Sequence, residues 1–110
     1  MKVDHINKVM LVRQPRLSES RAPVVIQVGC PEKRPNGHDY YCAYRVLGLG
    51  NDRVRSASGV DQMQALLLAL RKMGAELYSC GEYKTGKLYW LEMGNKDLGL
   101  PTPENFDISR

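Results

Sequence analysis

Residues with strong catalytic or metal-binding chemistry are scarce in this chain of 110 residues. It has two histidines, His5 and His38, and neither has an acidic or cysteine ligand at the spacing of a metal site. The glycines of Gly48-Leu49-Gly50 are not followed directly by a helix start, which a dinucleotide-binding loop requires. We therefore expect no metal, no cofactor and no catalytic residue, and enzymatic activity is the least favoured interpretation.

The cysteines are few and widely spaced, at Cys30, Cys42 and Cys80. The absence of a C-x-x-C pair excludes zinc-ribbon and thioredoxin-like motifs. The first eight residues lack the apolar core of a signal peptide, and no apolar run approaches the roughly 18 residues of a membrane span. These features predict a cytoplasmic protein with free thiols and no membrane association.

The overall composition is that of an ordinary soluble domain. Hydrophobic residues make up 43% and charged residues 25%, and 16 Lys and Arg against 12 Asp and Glu give a formal charge of +4. The length suits one domain. We expect this domain to occupy residues 1–101, with residues 102–110 as a loosely ordered tail because they contain little apolar content.

Several short segments have the branched and alternating pattern of strands. In residues 39–47, alternation places Tyr40, Cys42, Tyr44 and Val46 on the core side, because Arg45 on the other side needs water. The predicted strands are residues 6–14, 24–28, 39–47, 53–57 and 87–93.

Residues 60–80 have the apolar period of one long helix. Ser58 is predicted as its N-cap, with its hydroxyl on the amide of Asp61 and the Asp61 carboxylate returning to the Ser58 amide. Gln64 is expected to bond a strand backbone and pin the helix to the sheet, the alternative being a ligand contact. Gly81 suits a left-handed C-terminal cap. The predicted core residues of the helix are Val60, Met63, Leu66, Leu67, Leu70 and Met73, and the predicted wet-face residues are Arg71, Lys72 and Glu76.

Strands followed by one long helix and a last strand indicate an α+β two-layer sandwich. The expected architecture is an antiparallel β-meander of about four to five strands with the helix packed on one face. The other face would be open to solvent. By alternation it would carry Tyr41, Arg45, Arg53 and Arg55, which we take as a hypothetical binding surface.

Two segments resemble a family of small bacterial proteins of unknown function. They read Cys42-x-Tyr44-x-x-x-Gly48-Leu49-Gly50 and Gly59-Val60-Asp61-x-x-Gln64-Ala65-Leu66-x-Leu68-Ala69-Leu70. Trp90 and the turn Leu98-Gly99-Leu100-Pro101 fit the closing part of the same pattern. The resemblance covers roughly residues 24–101 and implies this fold in a bacterial, cytoplasmic setting. It implies no activity, cofactor or catalytic residue.

The favoured function is therefore a non-enzymatic protein-binding or adaptor module, either toxin-neutralising or self-associating as a dimer. Tyr and Arg are enriched at interface hot spots, which suits the predicted open face. The alternative is a nucleic-acid-binding protein, in which a basic, tyrosine-containing sheet face contacts phosphates and stacks on bases.

Overall fold

Short strands and one long helix make up the structure, a computed structural model that describes residues 3–18, 23–35 and 37–101. The predicted tail at 102–110 lies outside these residues. In chain order the elements are β1 (Val9–Arg13), β2 (Arg16–Leu17), β3 (Val25–Gly29), β4 (Glu32–Lys33), β5 (Tyr40–Leu47), β6 (Arg55–Gly59), α1 (Gln62–Ser79), α2 (Gly81–Lys84) and β7 (Leu88–Tyr89).

The main sheet is an antiparallel meander in the order β1, β3, β5, β6. Along one edge β5 pairs with β3 and β4, and along its other edge it pairs with β6, so Tyr41 lies opposite both Glu32 and Ser58. The short strands β2 and β7 form a separate pair. With α1 against the sheet, the predicted α+β architecture is confirmed.

The sheet turns one face toward α1, and alternation along the strands selects the residues on it. In β5 the buried side chains on this face are Cys42, Tyr44 and Val46, with Tyr40 half-buried beside them. In and next to β3 they are Val24, Ile26 and Val28. The alternation predicted for both strands is confirmed.

Helix α1 meets the sheet with small side chains in its first turns. Ala65 and Ala69 are buried, and Met73 and Leu77 continue the same line one and two turns later. The approach is closest at the end of β6, where a Cβ on Gly59 would lie 2.5 Å from the backbone nitrogen of Ala65.

Because of this close contact, the buried residues of α1 differ from those predicted. Met73 is buried as predicted, but Val60, Met63 and Leu67 are exposed, and Leu66 and Leu70 are only half-buried. The prediction followed the largest apolar residues. The helix instead rotates so that alanines, which allow the backbones to come close, face the sheet.

The N-cap lies three residues later than predicted. Asp61 is the cap, with its Oδ1 accepting from the Gln64 amide at 2.8 Å, and Gln64 Oε1 accepts from the Val60 amide at 2.7 Å. Ser58 instead accepts a hydrogen bond from Arg34. The Gln64 side chain thus bonds to the backbone just before α1. The Gln62 side chain instead donates to the Pro31 carbonyl.

The C-terminal part also departs from the prediction. Helix α1 ends at Cys80 in an extended conformation, and Gly81 begins α2 instead of forming a left-handed cap. The predicted strand at 87–93 shortens to β7. Beyond it, residues 98–101 form a closing segment that crosses α1 at Gly74, where any Cβ would collide with the Pro101 carbonyl.

Arg13 holds the closing segment against β1. Its guanidinium lies over the Trp90 ring at 3.9 Å and donates to the carbonyls of Leu98 at 3.0 Å and Gly99 at 2.9 Å. A cation over an indole ring is worth about 0.5–2 kcal/mol. These contacts join β1, Trp90 and the closing segment, which are far apart in the sequence.

The observed orientation of α1 predicts that two apolar truncations lower the free energy of unfolding by different amounts. Met73→Ala should lower the free energy of unfolding by about 2–5 kcal/mol, because it removes a fully buried side chain. Leu67→Ala should lower it by less than about 1 kcal/mol, because Leu67 is 43% exposed. Urea unfolding of both variants checks this, and equal losses would contradict the observed phase of the helix.

The cap can be tested in the same way. Asp61→Ala should lower the free energy of unfolding by about 0.5–2 kcal/mol, because the Gln64 amide loses its acceptor. Ser58→Ala is the matched control and should change it by no more than about 0.5 kcal/mol. A larger loss of stability in Ser58→Ala than in Asp61→Ala would contradict Asp61 as the N-cap and support Ser58 instead.

Candidate functional site

The first residue of the predicted binding face, Tyr41, is only 7% exposed. It lies on the sheet face away from α1, as alternation requires, but forms a small second core there with Ala43 and Val54. Val3 and Ile6 of the N-terminal segment pack on this cluster. Its hydroxyl donates to Glu32 at 3.3 Å. A ring buried in this way is not available to stack on a base.

The three arginines of the predicted face do not share one surface. Arg45 is on the face away from α1, where its Nε donates to Gln27 at 2.7 Å. Arg55 lies directly opposite Tyr44 in the β5–β6 pair, and opposed residues share a sheet face, so Arg55 is on the α1 side. Arg53 is exposed at the rim of a recess on that same side. The surface of Tyr41, Arg45, Arg53 and Arg55 expected from the sequence is therefore not formed.

Arg55 belongs to a polar cluster between the sheet and the second half of α1. Its Nε is 2.9 Å from Glu76 Oε2, without the alignment of a hydrogen bond, and the Tyr44 hydroxyl donates to Glu76 Oε1 at 2.9 Å. Burial raises the pKa of Tyr44, and the bond to Glu76 raises it further. Glu76, predicted on the wet face, is thus a half-buried link between helix and sheet.

A recess of about 340 Å³ opens beside this cluster. Its walls include Val46, Leu49 and Leu77, together with the Arg55–Glu76 pair and Arg53. Within the cluster, Tyr44 and Arg55 on the sheet both contact the Glu76 carboxylate on α1. The evident role of the cluster is to fix the end of α1 on the sheet.

A second feature is an apolar groove between β1 and α1. One wall is formed by Met10 and Leu11, and the other by Met63, Leu66 and Leu70. Side chains of β3 form the floor, and Pro31 and Pro101 stand at the two ends. The groove consists of two recesses of about 510 and 200 Å³.

Large apolar side chains are left in water on both walls of this apolar groove. Met10 and Leu11 of β1 are 41% and 46% exposed, and Met63 of α1 is 71% exposed. Single exposed apolar residues are ordinary, but a contiguous set marks an interaction surface. Sequence reasoning missed this site because it assigned the helix wall to the core.

Strand β1 adds a second property to the same place. It pairs with β3 along one side, and no other described strand pairs with it. A β-bulge lies between Val9 and Leu11, and Leu11 to Arg13 continue in regular register. Apolar side chains and an open strand edge therefore coincide.

The three cysteines are free. Cys42 is in the core, and burial raises the pKa of its thiol to about 11. Burial also raises the pKa of Cys80. Cys30 lines the apolar groove and is partly exposed. Within the described ranges, no three His, Cys, Asp or Glu side chains come together as a metal site would require.

Comparison with known proteins yields one family. Its model, described as Domain of unknown function (DUF6968), matches residues 12–102. The match begins inside β1 and includes the sheet, both helices and the closing segment. No curated protein and no solved structure matches significantly. Among residues 3–18, 23–35 and 37–101, no helix is both long and apolar enough to cross a membrane.

The thiol environments predict an order of chemical labelling. At pH 8 in the folded protein, Cys30 should react first with a thiol reagent and Cys42 last. A pKa of about 11 in place of the ordinary 9.0 leaves roughly 100-fold less thiolate at Cys42. Mass spectrometry of native and urea-unfolded samples measures this, and all three thiols should label once unfolded. Fast native labelling of Cys42 would contradict its placement in the core.

Proposed function

The chain belongs to the DUF6968 family, a domain of unknown function, and we propose that it is a non-enzymatic protein-binding module that uses the apolar groove between β1 and α1. The single observation behind this proposal is the contiguous exposure of large apolar side chains on both walls. A bacterial, cytoplasmic setting belongs to the same proposal, because a partly exposed thiol such as Cys30 persists in a reducing compartment.

The energetics of the groove suit association with another protein chain. Full burial of a Val, Leu or Met side chain contributes about 1.5–3 kcal/mol. Five or six half-exposed side chains therefore offer several kcal/mol, against an association cost of about 4–15 kcal/mol. Apolar burial alone supports weak binding, so a stable complex also needs the backbone hydrogen bonds that the open edge of β1 can make.

The charge distribution favours an apolar partner segment. Asp61 is the one acidic residue that lines the described part of the groove, and its carboxylate caps α1. Arg13 lines it at the other end, but its guanidinium is held by Trp90 and the closing segment. The walls between these two residues are apolar.

The geometry does not support the nucleic-acid alternative to the same degree. That interpretation needed Tyr41 exposed among arginines, whereas Tyr41 is buried and Arg55 is paired with Glu76. The net charge of +4 is a property of many soluble domains and specifies no partner.

A charge placed in the groove tests the proposal. Met63→Lys should abolish or weaken at least tenfold the binding of a partner to the immobilised protein, because it inserts an ammonium group into the apolar wall. Met93→Lys is the matched control, since Met93 is also exposed, 62% against 71%, but lies outside the groove. Quantitative mass spectrometry of proteins retained from native cell extract, with and without nuclease, measures the difference.

Two outcomes would contradict this function. One is that both Lys variants retain the same proteins as the parent protein. The other is that nuclease removes all bound material, which would favour the nucleic-acid alternative. A urea unfolding curve of each variant confirms that the comparison is made between folded proteins.

A further inference from the structure

We propose that Cys30 and Cys42 are an oxidation-sensitive thiol pair, in which hydrogen peroxide oxidises Cys30 and Cys42 then closes an intramolecular disulfide with it. The two residues lie on facing strands, at the point where the strand next to β5 passes from β3 to β4. This inference goes beyond the proposed function and does not depend on what occupies the apolar groove.

The register along β5 shifts by one residue between β3 and β4. Val28 of β3 lies opposite Tyr44. Glu32 of β4 lies opposite Tyr41. The three residues 29–31 therefore face only two residues of β5, as at a β-bulge.

Two contacts identify the opposed residues within this bulge. A Cβ on Gly29 would lie 3.2 Å from the carbonyl oxygen of Ala43, so these two residues are neighbours. The thiol of Cys42 donates to the Gly29 carbonyl at 3.4 Å, and this carbonyl belongs to the peptide bond that joins Gly29 to Cys30. Cys30 is therefore opposed to Cys42, with Pro31 beside it.

Both thiols are on the sheet face that α1 covers. Cys42 belongs to the buried core on that face, and Cys30 lines the apolar groove with Gln62 and Met63 of α1. The backbone amide of Cys30 donates to the Lys8 carbonyl at 2.9 Å, on the side of the strand away from β5. Opposed residues of an antiparallel pair have Cα atoms about 4.5–5.5 Å apart. Disulfides bridge Cα separations of about 4.4–6.8 Å, so the backbone need not move far.

The exposure of the two thiols assigns their roles. Cys30 is partly exposed, so a small oxidant reaches it from the groove. Cys42 is fully buried, and its pKa is raised to about 11 by burial and, to a lesser extent, by the neighbouring Cys30. A buried thiol with so little thiolate is a poor target for an oxidant in solution. It can still attack an oxidised sulfur that is held against it.

The reaction balances with hydrogen peroxide as the two-electron oxidant. The Cys30 thiolate attacks one peroxide oxygen, the O–O bond breaks, and the departing hydroxide takes up the proton that the thiol had released. The Cys42 sulfur then attacks the resulting sulfenic acid, so that an S–S bond forms and the S–O bond breaks. The second hydroxide leaves as water with the Cys42 proton. Two thiols are thus oxidised to one disulfide, and one peroxide is reduced to two waters.

Cys80 provides a control within the same chain. It is partly exposed like Cys30 but directly follows α1, whereas Cys30 lies beside the first turn of that helix. A helix of 18 residues is roughly 27 Å long, so Cys80 lies far from Cys30 in the folded protein.

Peroxide treatment of the purified, reduced full chain tests the inference. After free thiols are blocked with iodoacetamide, tryptic cleavage at Lys33 separates Cys30 from Cys42, and mass spectrometry of the unreduced digest should show the two peptides linked. The titratable thiols should fall from three to one, and dithiothreitol should restore all three. Cys80→Ser should form the same link, whereas Cys30→Ser should form none.

A second variant tests the order of the two steps. In Cys42→Ala the sulfenic acid on Cys30 has no thiol to resolve it, so dimedone should trap at least tenfold more of it than in the parent chain. A urea unfolding curve followed by tryptophan emission confirms that the variant is folded. The linked peptide of the parent chain tests the pairing whether or not this variant folds.

The location of the oxidised sulfur decides the outcome. A Cys30–Cys42 peptide from monomeric protein, reversed by dithiothreitol and unaffected by Cys80→Ser, supports the inference. Oxidation of Cys30 to sulfinic or sulfonic acid without this peptide, or disulfides formed only between chains, overturns it. Either result leaves the proposed function to its own test by partner binding to Met63→Lys.

Discussion

The close approach of α1 to the sheet is the constraint on which the rest of the structure depends. It requires small residues at the contact, and the chain provides them at Gly59, Ala65 and Ala69. A side chain at Gly59 would push the first turn away from β6 and separate the two layers. The helix cap at Asp61 and Gln64 forms immediately after this contact, so the close approach and the direction of the helix are established within a few residues.

Because small side chains occupy the contact, larger ones are displaced to the flanks of α1. Toward β1 they form the apolar wall of Met63, Leu66 and Leu70, which the sheet does not cover completely. In the second half of the helix the contact is instead polar, through Glu76 with Tyr44 and Arg55. The helix is thus held to the sheet by polar contacts in its second half, while its first half leaves apolar surface exposed.

The sequence predicts the strands, the long helix and the α+β architecture because these depend on local alternation and period. The rotation of the helix depends on how closely two backbones approach, which apolar periodicity does not encode, and so Met63 and Leu67 were misplaced. Arg55 was misplaced because its sheet face follows from its pairing with Tyr44. Tyr41 is buried by Val3 and Ile6, a contact between segments distant in sequence. The apolar groove is lined by helix residues that the sequence analysis assigned to the core, so apolar periodicity alone could not locate it.

The stacking of Arg13 on Trp90 gives the molecule an intrinsic optical label at an informative place. Trp90 is the sole tryptophan of the chain, so emission excited near 295 nm comes from this one indole ring. The ring contacts Arg13 of β1 and lies beside Gly99 of the closing segment. Detachment of either segment alters the surroundings of the same fluorophore. Its spectrum therefore follows the attachment of the closing segment to β1.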